Sequence, residues 1–310
     1  MTATRGPERP LRRLGYRLLG PSFDYVLHLR PAEWPIMAGH TALGLFLATG
    51  LPGVLAHPRL GDGVLGLALW VVALNGGTLA INSAFDRDEG DVAYLRNPPP
   101  PPRRLFAFGL GLMLAGLAVA WVALPRSYAG LFAVCVAMSV LYSVPPARLK
   151  AVAGADWVIN MWGFGTLTPL AGFAATGEPL PPALAWVFLA FCPLFAALYP
   201  LTQLYQMDED RRRGDRTLAL RLGVAGSLAL ALACALLAFG VLARAGQLAG
   251  WHGAARWGLL GVALAAWLAV LGPWLARAGR MTPAGHQRGM HRALGAWAVT
   301  DLAVLLAFGR

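Results

Sequence analysis

Apolar residues in this chain come in long runs, and charged residues are confined to the short gaps between them. A helix needs about 20 apolar residues to cross the roughly 30 Å hydrocarbon core of a bilayer. Nine stretches approach or meet that length, at approximately 33–55, 63–85, 104–124, 127–143, 155–176, 183–205, 223–243, 254–276 and 290–309. The fourth is the shortest and bears Ser139 and Ser143. Proline punctuates the gaps: Pro98 to Pro102 form a run that cannot be helical, Pro145 and Pro146 end the fourth stretch, and Gly177 to Pro182 make a tight turn. The pattern predicts an all-α fold, a polytopic membrane bundle of about nine transmembrane helices, with residues 31–310 as one membrane domain.

Composition agrees. Only 13% of the 310 residues are charged, 57% are hydrophobic and the mean hydropathy is +0.56, too few charges to cover a water-facing surface. The net charge of +11 raises the possibility of nucleic-acid binding, but no basic patch on a soluble body accompanies it. The Lys and Arg residues instead sort by side. With nine spans, 21 of them fall on the side of the N-terminus and five on the other. Excess positive charge marks the cytoplasmic face, so the N-terminus and the loops after the even-numbered spans are expected in the cytoplasm. Residues 1–30 hold six arginines and no long apolar run, which reads as a basic cytoplasmic leader or an interfacial helix rather than a signal peptide. Cys135, Cys192 and Cys234 lie far apart in apolar runs, without metal-ligand spacing, and read as buried thiols.

The acidic residues are less evenly spread. Eight of the 15 sit in two short stretches, Asp86, Asp88, Glu89 and Asp91 after the second span, then Asp208, Glu209, Asp210 and Asp215 after the sixth. Both belong to the same side. Crowded carboxylates repel, and at a helix C-terminus the helix dipole disfavours them further. A divalent cation shared with phosphate oxygens is the natural offset, and Mg²⁺ suits such ligands. The alternative is plain solvated loop charge. Asn82 and Asp86, four residues apart on one helical face, argue for a site, as do Gln203, Tyr205 and Gln206 ahead of the second cluster. Asp156 reads either as a cap on the fifth span or, with Asn160, as a substrate-facing pair. Asp301, inside the last span, is open between a functional role and pairing with His291 or a neighbouring helix, whereas His40 and His57 look incidental, near the far side.

At these residues the chain resembles the UbiA superfamily of membrane prenyltransferases. The family's first motif, Asn-Asp-x-x-Asp-x-x-x-Asp, corresponds to Asn82-Ser-Ala-Phe-Asp86-Arg-Asp88-Glu-Gly-Asp91. The second, Asp-x-x-x-Asp-x-x-x-Gly-x-x-Thr-Leu, corresponds to Gln206-Met-Asp208-Glu-Asp210-Arg-Arg-Arg-Gly214-Asp-Arg216-Thr217-Leu218. Between them, Tyr142-Ser143-Val-Pro145-Pro146-Ala-Arg148-Leu-Lys150 is similar to the family's loop after helix four. Ser83, Gly90 and Gln206 depart from the motifs, so either Asp88, Asp91 and Asp208 take over as ligands or this branch binds metal differently.

The resemblance implies nine helices around a central cavity with a cytoplasmic mouth. It implies Mg²⁺ at Asp86, Asp88, Asp91, Asp208 and Asp210. It implies catalytic roles for Asn82, Asp86, Asp210 and Tyr142, and substrate contacts from Arg148, Lys150, Tyr205, Gln206 and Arg216. The partners it implies are a prenyl diphosphate, an aromatic or lipophilic acceptor and the bilayer. Terpene cyclisation on the same scaffold, membrane transport and a non-catalytic relative are the competing readings.

Overall fold

The computed structural model describes residues 10–86, 95, 97–152, 154–214 and 216–309, and every regular element among them is a helix. Asp88, Glu89, Asp91 and Asp215 lie outside the described residues. The elements are α1 (Pro10–Leu19), α2 (Phe23–His28), α3 (Trp34–Thr49), α4 (Leu60–Ala68), a π-helical turn (Leu69–Asn75), α5 (Gly76–Asp86), α6 (Leu105–Ala123) and α7 (Arg126–Ser143). There follow α8 (Ala155–Asn160), a second π-helical turn (Met161–Leu167), α9 (Thr168–Ala174), α10 (Pro182–Gln203), α11 (Met207–Arg213), α12 (Leu218–Leu248), α13 (Ala254–Ala276) and α14 (Pro283–Phe308).

Each of the nine apolar stretches forms helix, and seven helical segments are long and apolar enough to cross a membrane, counting α4, its π turn and α5 as one. The other two differ from the expectation for physical reasons. α3 stops after 16 residues, about 24 Å at 1.5 Å per residue, because Gly50 takes a positive φ of 74° and Pro52 follows. The fifth stretch is split into α8, the π turn and α9. Two others run longer than their apolar cores: α12 starts at Leu218 and kinks at Gly223 (φ 67°, ψ 175°), and α14 starts at Pro283, where Thr282 accepts a hydrogen bond from the Gly285 N–H at 3.2 Å. Leu114, Leu237, Val262 and Leu302 stand exposed within their helices. Such positions suit lipid as the surrounding solvent.

The interior has two apolar clusters. One is built from α10, α12, α13 and α14, with Phe188, Phe191, Leu201, Ala235, Trp267 and Val304 at its centre. The other joins the first π turn to α6 and α7 through Trp70, Met113, Tyr128 and Phe132. α3 and α9 contribute to both, and they cross with backbones nearly touching. A Cβ on Gly44 would fall 1.7 Å from the Pro169 carbonyl oxygen, and one on Gly172 would fall 1.9 Å from that of Thr41. Only glycine permits this approach. His40, buried on α3, fixes the same junction. Its Nδ1 lies 3.2 Å from Asp301 on α14 and its Nε2 3.2 Å from the Gly165 carbonyl in the second π turn. His40 is thus a central tie rather than an incidental residue, and Asp301 pairs with it, not with His291. His57 faces Glu178 at 3.4 Å.

Candidate active site

The end of α5 and the loop after α7 build a compact charged cluster. Asn82 and Asp86 are one helical turn apart and present their oxygens to the same side. Lys150, in a 3₁₀ turn (Leu149–Ala151), donates from Nζ to Asn82 Oδ1 at 2.8 Å and to Asp86 Oδ1. Arg148 approaches Asp86 Oδ1 with Nη2 at 3.5 Å, from a left-handed backbone conformation (φ 33°) that turns the loop back towards α5. Ser143, the last residue of α7, donates to Asn82 at 3.4 Å. Ser83, where the family's motif has an acid, is buried and accepts a 3.3 Å hydrogen bond from the buried Arg30.

Behind this cluster lies a cavity of about 160 Å³. Asn82 and Tyr142 line it together with Trp70, Leu74, Met138 and Phe164, among others. Both π-helical turns contribute to its wall, Trp70 and Asn75 from the first and Gly163 and Phe164 from the second. Wide turns of this kind recur at functional sites. Asn75 is buried, and its amide nitrogen has no hydrogen-bond partner among the described residues.

The second acidic group takes a different place from the one its sequence context suggests. α10 ends at Gln203, and Asp208, Glu209 and Asp210 occupy the first turn of the separate helix α11. The helix dipole there favours negative charge, which removes the electrostatic objection raised by a C-terminal position. Asp210 is buried and accepts from Thr217 Oγ1 at 3.4 Å, while Asp208 is exposed and paired with Arg211 at 3.0 Å. Gln206 is the N-cap residue of α11, and its carbonyl accepts from the N–H groups of Glu209 and Asp210, both at 2.9 Å. Tyr205 precedes it, half-buried. Burial first, and then the Asp210 charge, push its phenol above the usual range. Arg216 is exposed in the loop before α12.

Among the described residues no three His, Cys, Asp or Glu side chains converge on one point. The donor chemistry for Mg²⁺ is nevertheless present. Asn82 and Asp86 already bind one cation, the Lys150 ammonium, through two hard oxygens, and Mg²⁺ takes few protein carboxylates beside phosphate and water.

A further polar group was not apparent as a unit from the sequence. Asp156, 2% exposed on α8, accepts from the Gly154 N–H at 2.9 Å, from Tyr199 at 3.1 Å and from Gln203 at 3.3 Å. It therefore ties the start of α8 but also reaches across to α10. Gln203 in turn accepts from the Ala219 N–H at 3.1 Å. Tyr199 lies 3.5 Å from the hydroxyl of Tyr142. The available signal was spacing, since Asp156 and Asn160, and Tyr199 and Gln203, are each one helical turn apart.

A helical bundle with lipid-facing apolar surfaces, and with a charged cluster at the edge of an apolar cavity, is an integral membrane protein built to hold an amphiphile by its polar head. Residues 34–287 match the UbiA prenyltransferase family, and the chain belongs to that family of membrane prenyltransferases. It is 28% identical over 251 residues to the lycopene elongase/hydratase of Haloarcula japonica, covering 75% of this chain and 79% of that one. Its fold is similar to that of a UbiA homologue from Archaeoglobus fulgidus bound to GPP and Mg²⁺, with 19% identity, a TM-score of 0.67, and coverage of 91% of this chain and 99% of that one. It is also similar to an apo UbiA homologue from Aeropyrum pernix K1, with 20% identity, a TM-score of 0.56, and coverage of 86% and 97%.

Proposed function

We propose that the protein transfers a prenyl chain from a prenyl diphosphate to a lipophilic polyene, with Mg²⁺, in the cavity between α5, α7 and the two π-helical turns, and that the cavity mouth faces the cytoplasm. The observation that carries this reading is the double membership of Asn82. It belongs to the Asp86–Lys150–Arg148 cluster and also lines the cavity, so a charged head and an apolar tail find their environments on either side of one residue. Arg148 suits a two-point grip on a phosphate and Lys150 a point charge, and Tyr205, Gln206 and Arg216 would add substrate contacts from the second acidic segment. Asp86, Asp208 and Asp210, with Asp88 and Asp91, are the residues that would hold Mg²⁺, which would act as a Lewis acid on the leaving diphosphate.

The allylic C–O bond breaks, and its electron pair leaves with the diphosphate. Trp70 and Phe164 on the cavity wall exclude water, and aromatic faces stabilise a neighbouring cation. A carbon–carbon double bond of the acceptor then attacks. The choice of a polyene over an aromatic acid rests on the apolar wall and on the kinship with a lycopene elongase/hydratase.

The test is diphosphate release by the purified protein from dimethylallyl, geranyl and farnesyl diphosphate, with lycopene or an aromatic acid as acceptor. Release that needs Mg²⁺, stops with EDTA and is lost in an Asp86→Ala, Asp210→Ala double variant is the expected result. No release at any chain length, even with a total lipid extract supplying acceptors, would overturn the reading. Prenylation of the aromatic acid alone would overturn the choice of acceptor.

A further inference from the structure

Joining a prenyl chain to a double bond leaves a cation on the acceptor, and the reaction closes only when a neighbouring C–H bond gives up its proton. This happens inside a cavity that must exclude water, so the proton passes either to the departed diphosphate or to a protein group placed there. The inference rests on the function proposed above. We propose that Tyr142, Tyr199 and Asp156 form a relay that carries this proton from the cavity to Asp156.

Tyr142 lines the cavity and is the end of the chain that meets substrate. Its hydroxyl is 3.5 Å from that of Tyr199, which donates to Asp156 Oδ2 at 3.1 Å. The single hydroxyl hydrogen of Tyr199 is directed at the carboxylate, so Tyr142 is the donor in the first link. Every hydrogen in the chain then points towards Asp156, and the Tyr142 oxygen is left as an acceptor at the cavity wall, with the Asn160 side chain beside it. The 3.5 Å link is long, as catalytic hydrogen bonds often are before substrate is bound.

Asp156 is suited to be the terminus. It is 2% exposed, and its three partners are the neutral donors of Gly154, Tyr199 and Gln203. Among the described residues no Lys or Arg forms an ion pair with it. A buried carboxylate without a cation is costly to keep for packing alone. In the step itself, the C–H bond next to the cationic carbon breaks and its electron pair becomes the new double bond. The proton goes to the Tyr142 oxygen, the Tyr142 proton to Tyr199, and the Tyr199 proton to Asp156. Asp156 sits in the first turn of α8, four residues after the exposed Val152.

The relay acts after ionisation, so its loss separates two readouts. Tyr199→Phe cuts the chain while keeping the ring beside Phe195, and Asp156→Asn removes the terminus. Single-turnover diphosphate release and prenylated product are measured together, with dimethylallyl diphosphate and lycopene or a lipid extract, beside a thermal melt of each variant. The expected result is that product falls by about 100-fold or more in both variants. Diphosphate release falls far less, the adduct cation is captured by water as a hydroxylated adduct in place of the alkene product, and Asp156→Glu recovers part of the alkene product. A melt unchanged in Tyr199→Phe keeps the result from being one of folding. Product retained in both variants, or release and product falling in parallel, would overturn the relay and leave the parent reading standing. A wild-type protein that releases no diphosphate, or joins no prenyl chain to any acceptor supplied, would sink both.

Discussion

Lys150 occupies the place that a substrate-bound cation would claim. Its ammonium holds Asn82 and Asp86 on one side, and Arg148 adds a second positive charge near the same carboxylate. In the absence of substrate this pairing keeps a half-buried carboxylate from standing alone, and a diphosphate arriving with Mg²⁺ would take over that role and leave Lys150 free for phosphate. Lys150→Met, which keeps the apolar stem and removes the charge, should therefore weaken binding of a non-hydrolysable prenyl diphosphate analogue. A charge-assisted hydrogen bond contributes about 1.5–3 kcal/mol, so the loss should be about 10- to 100-fold. Calorimetric titration measures it directly, and unchanged affinity would remove Lys150 from the substrate site. That Asn82, Asp86, Arg148 and Lys150 belong together was legible in the sequence through the resemblance of their motifs. That Lys150 bridges the two side chains of α5 was not, because the loop path that brings it back depends on the left-handed turn at Arg148.

At the scale of elements, the α3–α9 crossing holds the two apolar clusters together. Gly172→Leu would drive a side chain into the α3 backbone at Thr41, and rigid backbone cannot give way as a flexible side chain can. The expected cost is about 3 kcal/mol or more, seen as a large drop in melting temperature or loss of folded protein in detergent. Gly39→Ala is the control. It lies in α3, the other helix of the crossing, with nothing within 4 Å of the added carbon, and should be close to neutral. Equal melts for the two variants would show that the close crossing carries no stability. Long apolar runs made the spans readable, since length and apolarity are properties of the segment itself. The interruptions were not readable for the opposite reason. The π-helical turns at Leu69–Asn75 and Met161–Leu167 and the kink at Gly223 are set by what packs against them. Their sequences contain no proline to announce a break, and two of the three form the cavity wall.

Across the whole molecule, the division of positive charge predicts the direction in which the cavity opens. Twenty-one Lys and Arg residues against five is a strong asymmetry, and it places the Arg148–Lys150 loop and α11 on the side of the N-terminus. The proposed function calls for the same arrangement, because an ionised diphosphate head does not cross a bilayer unaided. The sequence predicts the side by counting charges between nine spans. The Asp156–Tyr199–Tyr142 chain was not legible there, because its members lie 43 and 57 residues apart and meet only through the packing of three helices. Orientation can be tested independently of activity. Cys135, Cys192 and Cys234 are all buried, so a background lacking them leaves single introduced cysteines as clean reporters. Arg212→Cys and His252→Cys place thiols at exposed positions at opposite ends of α12. A membrane-impermeant maleimide should label the first only in inside-out vesicles and the second only in intact, right-side-out ones. The reverse pattern would put the charged cluster outside the cell, away from cytoplasmic diphosphates. Labelling of both from one side would mean that α12 does not cross the membrane, and the charge count would then lose its basis.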